Sequence, residues 1–298
     1  MISILIPVYN YSIVDLVTKL YTQLEDSSIP FELICLDDGS DENYITSNKT
    51  IETYKGCSYK RNTTNIGRTL TRQNLANMAT YNWLLFLDAD VIPKSEDFIQ
   101  QYIVHIDKAN DAVFGGFAYQ KTPPKANNRL RWNYGRQQEQ KLAVLRNKTP
   151  FKIIISANFL IKRNVFLEIN SQIKQRTYGL DNVFGSMLKQ SNVKVFHIDN
   201  EVYHLGLETN AIYLKKKEDS AIAVLSHYKT NKMYDHQNDL LNVFITSKRF
   251  GINYLFKLVY KLFGNTLKRH LIGNNPSITL LQLYRISFMC YKDLNSEY

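Results

Sequence analysis

Three short stretches, Ile2 to Tyr9, Phe31 to Leu36 and Trp83 to Leu87, are nearly unbroken runs of apolar residues. That is the pattern of parallel strands covered on both faces. Between them, apolar positions recur with a helical period. Ile13, Leu16, Val17, Leu20 and Leu24 follow a Ser12-to-Asp15 capping box, Phe98, Ile99, Tyr102, Ile103 and Ile106 follow Ser95, and Thr69 to Ala79 forms a weaker third helix. Strands alternating with helices predict a doubly wound α/β sheet.

The pattern changes after residue 118. Pro123 and Pro124 interrupt it, and Leu130 to Leu145 then reads as one basic helix carrying Trp132 and Tyr134. Lys152 to Ile161 predicts a strand, Asn182 to Gln190 a short helix and Val193 to Ile198 a last strand, and from Glu208 onward the chain is mainly helical. Within that region, Phe250 to Phe263 sets Leu255, Leu258, Val259, Leu262 and Phe263 on one face and Lys257 and Lys261 on another. Such a segment suits a packed helix and an interfacial helix on anionic lipid equally. The expected organisation is an α/β domain over 1–206, in halves 1–118 and 119–206, followed by a helical region over 207–298.

With 298 residues, 44% hydrophobic and 21% charged, the chain can bury a substantial core. Cys35, Cys57 and Cys290 are too few and too scattered for a disulfide framework or a zinc site, which fits a reducing compartment. No basic segment precedes the first apolar run, whose nearest lysine is Lys19, and no stretch is long enough to span a membrane. A cytoplasmic protein, soluble or peripheral on the inner face of a membrane, is expected. The net charge of +10 is uneven: residues 1–118 carry −6 and residues 119–176 carry +11. An acidic front half beside a basic middle suggests a metal-binding face next to a surface for anions.

Ligands of open α/β sheets bind beyond the carboxyl ends of the strands. The residues there are Pro7-Val8-Tyr9-Asn10, Asp37-Asp38-Gly39-Ser40 and Asp88-Ala89-Asp90. No G-x-G-x-x-G or Walker A sequence accompanies them, which removes dinucleotide and P-loop readings. Asp88 and Asp90, two residues apart in an extended segment, can offer two carboxylates to one hard cation, Mg²⁺ or Mn²⁺, with a diphosphate supplying further oxygens. A bare D-x-D equally marks the end of a strand.

Together, Ile4 to Asn10, Leu36 to Ser40, Asn65 to Arg72 and Leu84 to Asp90 resemble the inverting nucleotide-sugar glycosyltransferases of family 2, over about the first 205 residues. The resemblance implies a GT-A fold: a Rossmann-like, mostly parallel sheet flanked by helices, here with a C-terminal helical extension. It implies that Pro7 and Tyr9 line a nucleobase pocket, Asp38 holds the base edge, Arg68 and Arg72 sit near it, Asp88 approaches the ribose and Asp90 holds the metal. The second half resembles a subgroup in which Gly115-Gly116, Leu130-Arg131-Trp132, Tyr134-Gly135, Glu139, Asn158 and Val202-Tyr203-His204-Leu205-Gly206 recur. In the family the general base is the aspartate of a Glu-Asp pair opening a helix. Here Asp181 keeps that place and Leu180 replaces the glutamate. On spacing alone Asp181 is better explained as a helix cap before Asn182, and the resemblance reverses that order.

His204 becomes a metal or phosphate contact by the same resemblance, or a packed histidine. Trp132 and Tyr134, with Arg131 and Asn158, fall on the acceptor side, where the aromatic rings suit either sugar stacking or the core. The expectation is a metal-dependent inverting transferase that moves a sugar from a nucleotide diphosphate, UDP by preference, to a glycan or lipid-linked acceptor in surface polysaccharide assembly. The rivals are a catalytically silent nucleotide-sugar-binding protein, suggested by Leu180, and a nucleic-acid binder. The latter rests only on net charge, so no nucleic-acid partner is expected.

Overall fold

The computed structural model describes residues 1–106, 108–173, 178–230, 233 and 235–295. Among these, ten strands form two sheets and twelve α-helices surround them. The strands are β1 (Ile2–Val8), β2 (Phe31–Asp37), β3 (Cys57–Arg61), β4 (Trp83–Leu87), β5 (Val91–Pro93), β6 (Ala112–Phe114), β7 (Phe117–Ala118), β8 (Asn158–Lys162), β9 (Val195–His197) and β10 (Val202–His204). The larger sheet has the order β3-β2-β1-β4-β8-β6-β9 and the smaller β5-β10-β7. In the larger sheet only β8 runs against its neighbours, β4 and β6. The mostly parallel architecture expected from the apolar runs is present.

Side chains of β1 and β4 alternate between two cores, as a period of two requires. Ile4, Ile6, Leu85 and Leu87 face one way, against α1 (Val14–Asp26) and α4 (Phe98–Ile103). Leu5, Leu84 and Phe86 face the other, against α3 (Arg68–Met78), α7 (Arg163–Asn170) and α8 (Leu180–Gln190). The short helix α2 (Glu42–Asn48) follows β2. In-register pairing of Val8 with Asp37, and of Leu5 with Phe86, brings the carboxyl ends of β1, β2 and β4 to one edge of the sheet. The chain then turns sharply. Asn10 takes a left-handed φ of 48°, its N–H donates to Ser40 Oγ at 2.8 Å, and its Oδ1 accepts from the Asp41 N–H at 2.8 Å.

Several local expectations are corrected. The Ser12-to-Asp15 capping box does not form: the cap position of α1 is Ile13, whose N–H donates instead to Asn48 Oδ1 at 3.0 Å, a partner 35 residues away. Leu130 to Leu145 is not one helix. α5 (Arg129–Tyr134) opens into a π turn over Gly135–Glu139 and the chain resumes as α6 (Ala143–Arg146). The break turns Glu139 inward to Arg131 and Tyr119, at 2.8 and 2.6 Å. It also sends Arg146 into the interior, where it donates to the carbonyls of Phe114, Gly115, Ile198 and Lys141. The strand expected over Lys152 to Ile161 is confined to β8, because the preceding residues form the loop that carries Ser156. Val193 to Ile198 narrows to β9, and β10 rather than β9 is the last strand.

The C-terminal region is helical as expected: α9 (Asn210–Lys229), α10 (Asp239–Arg249), α11 (Asn253–Ile272) and α12 (Ile278–Asn295). Its own apolar clusters join it to α5 through Leu130 and to α8 through Val183. No helix of the described residues is long and apolar enough to cross a membrane.

Buried Arg146 explains two neighbours. Gly116 has a φ of +92°, and a Cβ there would lie 2.8 Å from an Arg146 guanidinium nitrogen, so both backbone and space call for glycine. His197 Nδ1 lies 2.8 Å from Arg146 Nη1, and arginine only donates, so Nδ1 accepts and Nε2–H donates to the Pro150 carbonyl at 2.8 Å. Burial, with repulsion from Arg146 added against the opposing Pro150 bond, pulls the imidazole down to about 4. Between the ordinary value of 6.5 and that figure, the unfolded chain takes up a proton that the native state refuses, so stability falls as pH drops through this window. Urea unfolding at pH 7.5 and 4.5 is expected to show wild type losing about 2–3 kcal/mol more than His197→Gln. Equal losses would mean that the neutral imidazole contributes nothing.

Candidate active site

The centre of the cleft is an ion-pair cluster. Asp88 leaves β4 with its N–H bonded to the Ala157 carbonyl at 3.2 Å, which fixes it beside the loop preceding β8. Arg68 and Arg72 lie one helical turn apart at the start of α3 and converge on it: Arg72 donates to Asp88 Oδ1 at 2.6 Å and Arg68 to Oδ2 at 2.8 Å. Arg72 also donates to the Ser156 carbonyl at 2.5 Å and lies near the rings of Phe86 and Phe159. Burial alone would raise the Asp88 carboxyl, but the two guanidinium groups outweigh it and hold it below its ordinary value. Burial and repulsion from Arg68 lower Arg72 to about 10.

Ser156 links this cluster to Asp181. Its Oγ accepts from Arg68 at 2.8 Å and donates to Asp181 Oδ1 at 2.5 Å. Asp181 is in the first turn of α8, whose cap position is Gly179, so Asp181 is not the cap that spacing alone allowed. Its carboxylate is accepted there by the positive end of the helix. Leu180, where the family glutamate is usual, packs between the apolar cores on either side of α8.

Asp90 stands in contrast to Asp88. No arginine or lysine pairs with it among the described residues, and its nearest ionisable partner is His204 Nε2, 3.5 Å from Oδ2. Pairing of β5 with β10, His204 opposite Val91, produces that juxtaposition. Burial, then the negative charge of Asp88, pushes the Asp90 carboxyl up to about 6. Burial, then repulsion from Arg131, pulls the imidazole down to about 4, so His204 is neutral and the contact is no ion pair. His204 Nδ1 is buried without a hydrogen-bond partner. An under-neutralised carboxylate beside a neutral imidazole suits a divalent cation, but the described residues contain no group of three or more His, Cys, Asp or Glu that could hold one. Most of any ion's ligands must therefore come from elsewhere, as with cations bound through substrate phosphates.

These residues wall adjoining cavities. One of about 320 Å³ is lined by Pro7, Tyr9, Asp38, Arg68, Asp88 and Asp90. A second of about 220 Å³ has Asp88, Asp90, Asp181, His204, Arg131 and Tyr134 among its walls. A third of about 730 Å³ includes Arg72, Tyr178 and Asp181. Tyr9 is 54% exposed and offers an open ring face. Asp38 is differently placed: its carboxylate accepts from Asn62 Nδ2 and the N–H groups of Ile66 and Gly67, at 2.9, 2.9 and 2.8 Å. It thereby shapes the loop that launches α3, where Gly67 supplies the cap with a φ of +86°.

Two expected acceptor-side residues do not reach the cleft. Trp132 packs in the core and donates Nε1–H to the Gln120 carbonyl at 2.9 Å. Asn158 is fully buried and bonds Tyr102, Gly116 and Asn200, tying the two sheets together. Residues beyond the sequence expectation take their places. Ser156 lies in an otherwise apolar stretch with no motif to mark it, and Tyr178, just before α8, and Lys217, on α9, line the cleft.

The sequence model of Glycosyl transferase family 2 matches residues 3–169, more than half of the chain. The chain belongs to this family. It is 28% identical over 116 residues to a chondroitin synthase of Pasteurella multocida (strain Pm70), a stretch covering 39% of this chain and 12% of that protein. Among solved structures, it is similar to the mannosyltransferase PcManGT of Pyrobaculum calidifontis, in complex with GDP-Man and Mn²⁺, with a TM-score of 0.56 and 13% identity over 99% of this chain and 87% of that one. It is also similar to residues 1–349 of S. aureus TarS in complex with UDP-GlcNAc, with a TM-score of 0.50 and 13% identity over 98% and 91% of the two chains. The glycosyltransferase thus has the GT-A fold that its sequence predicted.

Neutralising Asp88 should leave two arginines facing an uncharged amide. Asp88→Asn is expected to destabilise the glycosyltransferase by about 2–4 kcal/mol in urea unfolding. A change below about 0.5 kcal/mol would show that Asp181 alone can satisfy both guanidinium groups.

Proposed function

We propose that the chain transfers a sugar from a nucleotide diphosphate, UDP by preference, to a glycan or lipid-linked acceptor with inversion, in surface polysaccharide assembly. The carrying observation is the single cavity that Asp88, Asp90, His204 and Asp181 share. It places an under-neutralised carboxylate and a separately held carboxylate around one space. Pro7 and Tyr9 form the apolar wall for the base, and Asp38 holds the loop beneath it. Arg68, 44% exposed at its side chain, is the cation that can turn from Asp88 toward a diphosphate.

Asp90 and neutral His204 would hold Mg²⁺ or Mn²⁺ together with the donor's own oxygens. Asp88 is committed to two arginines and contributes mainly its charge. When bound, the cation stabilises negative charge developing on the departing diphosphate. Asp181 accepts the proton of the acceptor hydroxyl as its oxygen attacks the anomeric carbon and the bond from that carbon to the diphosphate oxygen breaks. Ser156, donating to Asp181 Oδ1, orients the carboxylate and leaves Oδ2 for this task. Attack from the side opposite the diphosphate inverts the anomeric centre.

The transferase is proposed to work on the inner, anionic face of a membrane. Phe250, Tyr254, Leu255, Leu258, Leu262 and Phe263 are exposed on α11 and the turn before it, whereas Val259 packs inward. Segment 248–272 carries six basic residues and no acidic one. An apolar face rimmed by cations of one sign matches an interfacial helix on anionic lipid.

Asp181→Asn should lower transfer about 10²–10⁴-fold while leaving donor affinity unchanged, and Asp90→Asn should abolish the metal dependence of donor binding without altering the unfolding transition. Isothermal titration with UDP, with and without manganese, paired with a transfer assay, checks both. Wild-type donor binding without turnover over a panel of acceptors would favour a silent binding protein. In flotation assays, the chain should rise with vesicles containing phosphatidylglycerol but not with phosphatidylcholine alone, and a Leu258→Ser, Leu262→Ser variant should remain behind. A variant that floats like wild type would remove α11 from the contact.

A further inference from the structure

Two buried cations in the C-terminal half have no work in the chemistry above. Lys217 of α9 and Arg285 of α12 are 7% and 8% exposed. Among the described residues neither forms an ion pair with a carboxylate. Arg285 donates Nη1–H to Gln282 Oε1 at 2.8 Å, and its buried Nε has no hydrogen-bond partner. The Lys217 ammonium lies 3.7 Å from the centre of the Tyr134 ring, which compensates one side of it. Burial, followed by repulsion from Arg285 and against the opposing pulls of Tyr134 and the Glu139 carboxylate, lowers Lys217 from its ordinary value. The other deeply buried arginines are differently treated: Arg72 faces Asp88, Arg131 faces Glu139, and Arg146 is ringed by carbonyls.

Burying two like charges with no carboxylate bonded to either is costly, and the cost is recovered if an anion arrives. Both side chains line a cavity of about 780 Å³ between α5, α10 and α12, whose walls also include Lys141 and the ion pair of Lys152 with Asp239, 2.8 Å apart. The cavity adjoins the active site, since Tyr134, Lys152, Asn182, Lys217 and Ser220 line it and the smaller cavity of Asp90 and Asp181 alike. Part of its wall is apolar, with Leu240, Val243, Phe256 and Ile286.

We propose that Lys217 and Arg285 form an oxyanion subsite that seats a phosphate or carboxylate of the acceptor while its hydroxyl reaches Asp181. The subsite rests on the glycosyltransferase reading above and narrows the acceptor to an anionic one. The oxyanion belongs either to the phosphate of a lipid carrier or to an acidic sugar of the glycan.

The test is thermal unfolding of the full chain at constant ionic strength, with saturating UDP and magnesium throughout, titrated with inorganic phosphate or with glucuronate. At least one of the two should raise the unfolding temperature saturably. Lys217→Gln and Arg285→Gln should each raise the apparent Kd at least tenfold, Lys217→Arg should preserve the response, and the stabilisation by UDP should survive in every variant. A response to phosphate alone assigns a phosphate-bearing acceptor, and one to glucuronate alone an acidic sugar. No wild-type response to either anion, or a response that survives both glutamine variants, overturns the subsite. Should one glutamine variant fail to fold, the wild-type titration and the other variant decide. If UDP with magnesium does not stabilise wild type, the nucleotide-sugar reading fails first and the two failures remain distinct.

Discussion

A carboxylate buried at the carboxyl end of a parallel strand remains ionised only if the protein brings positive charge to it, and the cleft is built around that requirement. Asp88 is met by Arg68 and Arg72, both from the first turns of α3. This places α3 across the edge of the sheet and draws the 156 loop onto the same guanidinium groups. Through Ser156 the restraint reaches Asp181 on α8. The positions of α3, the 156 loop and α8 are thus set by one buried charge, and a change to it is felt on both walls of the site.

The same neutralisation explains why Asp88 and Asp90 are not equivalent despite identical chemistry two residues apart. The arginines bond Asp88, so Asp90 faces a neutral imidazole and the negative charges of Asp88 and Glu208, with Arg68 attracting it but not paired to it. Two carboxylates sharing four protein cations would bind no further ion; two carboxylates sharing two cations leave one site electrostatically open. The pairing of β5 with β10 decides which one, because it brings His204 within 3.5 Å of Asp90.

Much of this was legible in the sequence because it depends on short-range regularities. Unbroken apolar runs ending in Asp38 and Asp88 located both the sheet and the edge where ligands gather, since a strand covered on two faces must be apolar and its polar residues must lie just beyond it. What was not legible depends on contacts between distant segments. Ile13 is capped by Asn48 rather than by a neighbouring serine. Trp132 was assignable to a sugar platform or to the core, and only the position of Gln120 settles where its indole nitrogen goes. The basic helix expected over 130–145 breaks because Glu139 and Arg146 gain more from interior partners than from continuing an amphipathic face. No local period contains that information.

Charge distribution carries the remaining step. The excess of positive charge in 119–176 reads from composition as a surface feature, yet Arg131 and Arg146 spend theirs inside the protein on Glu139 and on backbone carbonyls, and half-buried Arg163 donates to carbonyls of α3. Net charge therefore says little about what the protein binds, and location says a good deal. On α11 the lysines surround exposed apolar side chains and no carboxylate lies in the segment. At the cavity between α9 and α12, Lys217 and Arg285 are buried without carboxylates of their own. Buried cations that are satisfied hold the fold together, whereas these two carry a desolvation cost that the Tyr134 ring, Gln282 and the charge of Glu139 offset only in part. Their persistence beside the site is most simply accounted for by a ligand that brings the missing negative charge with it.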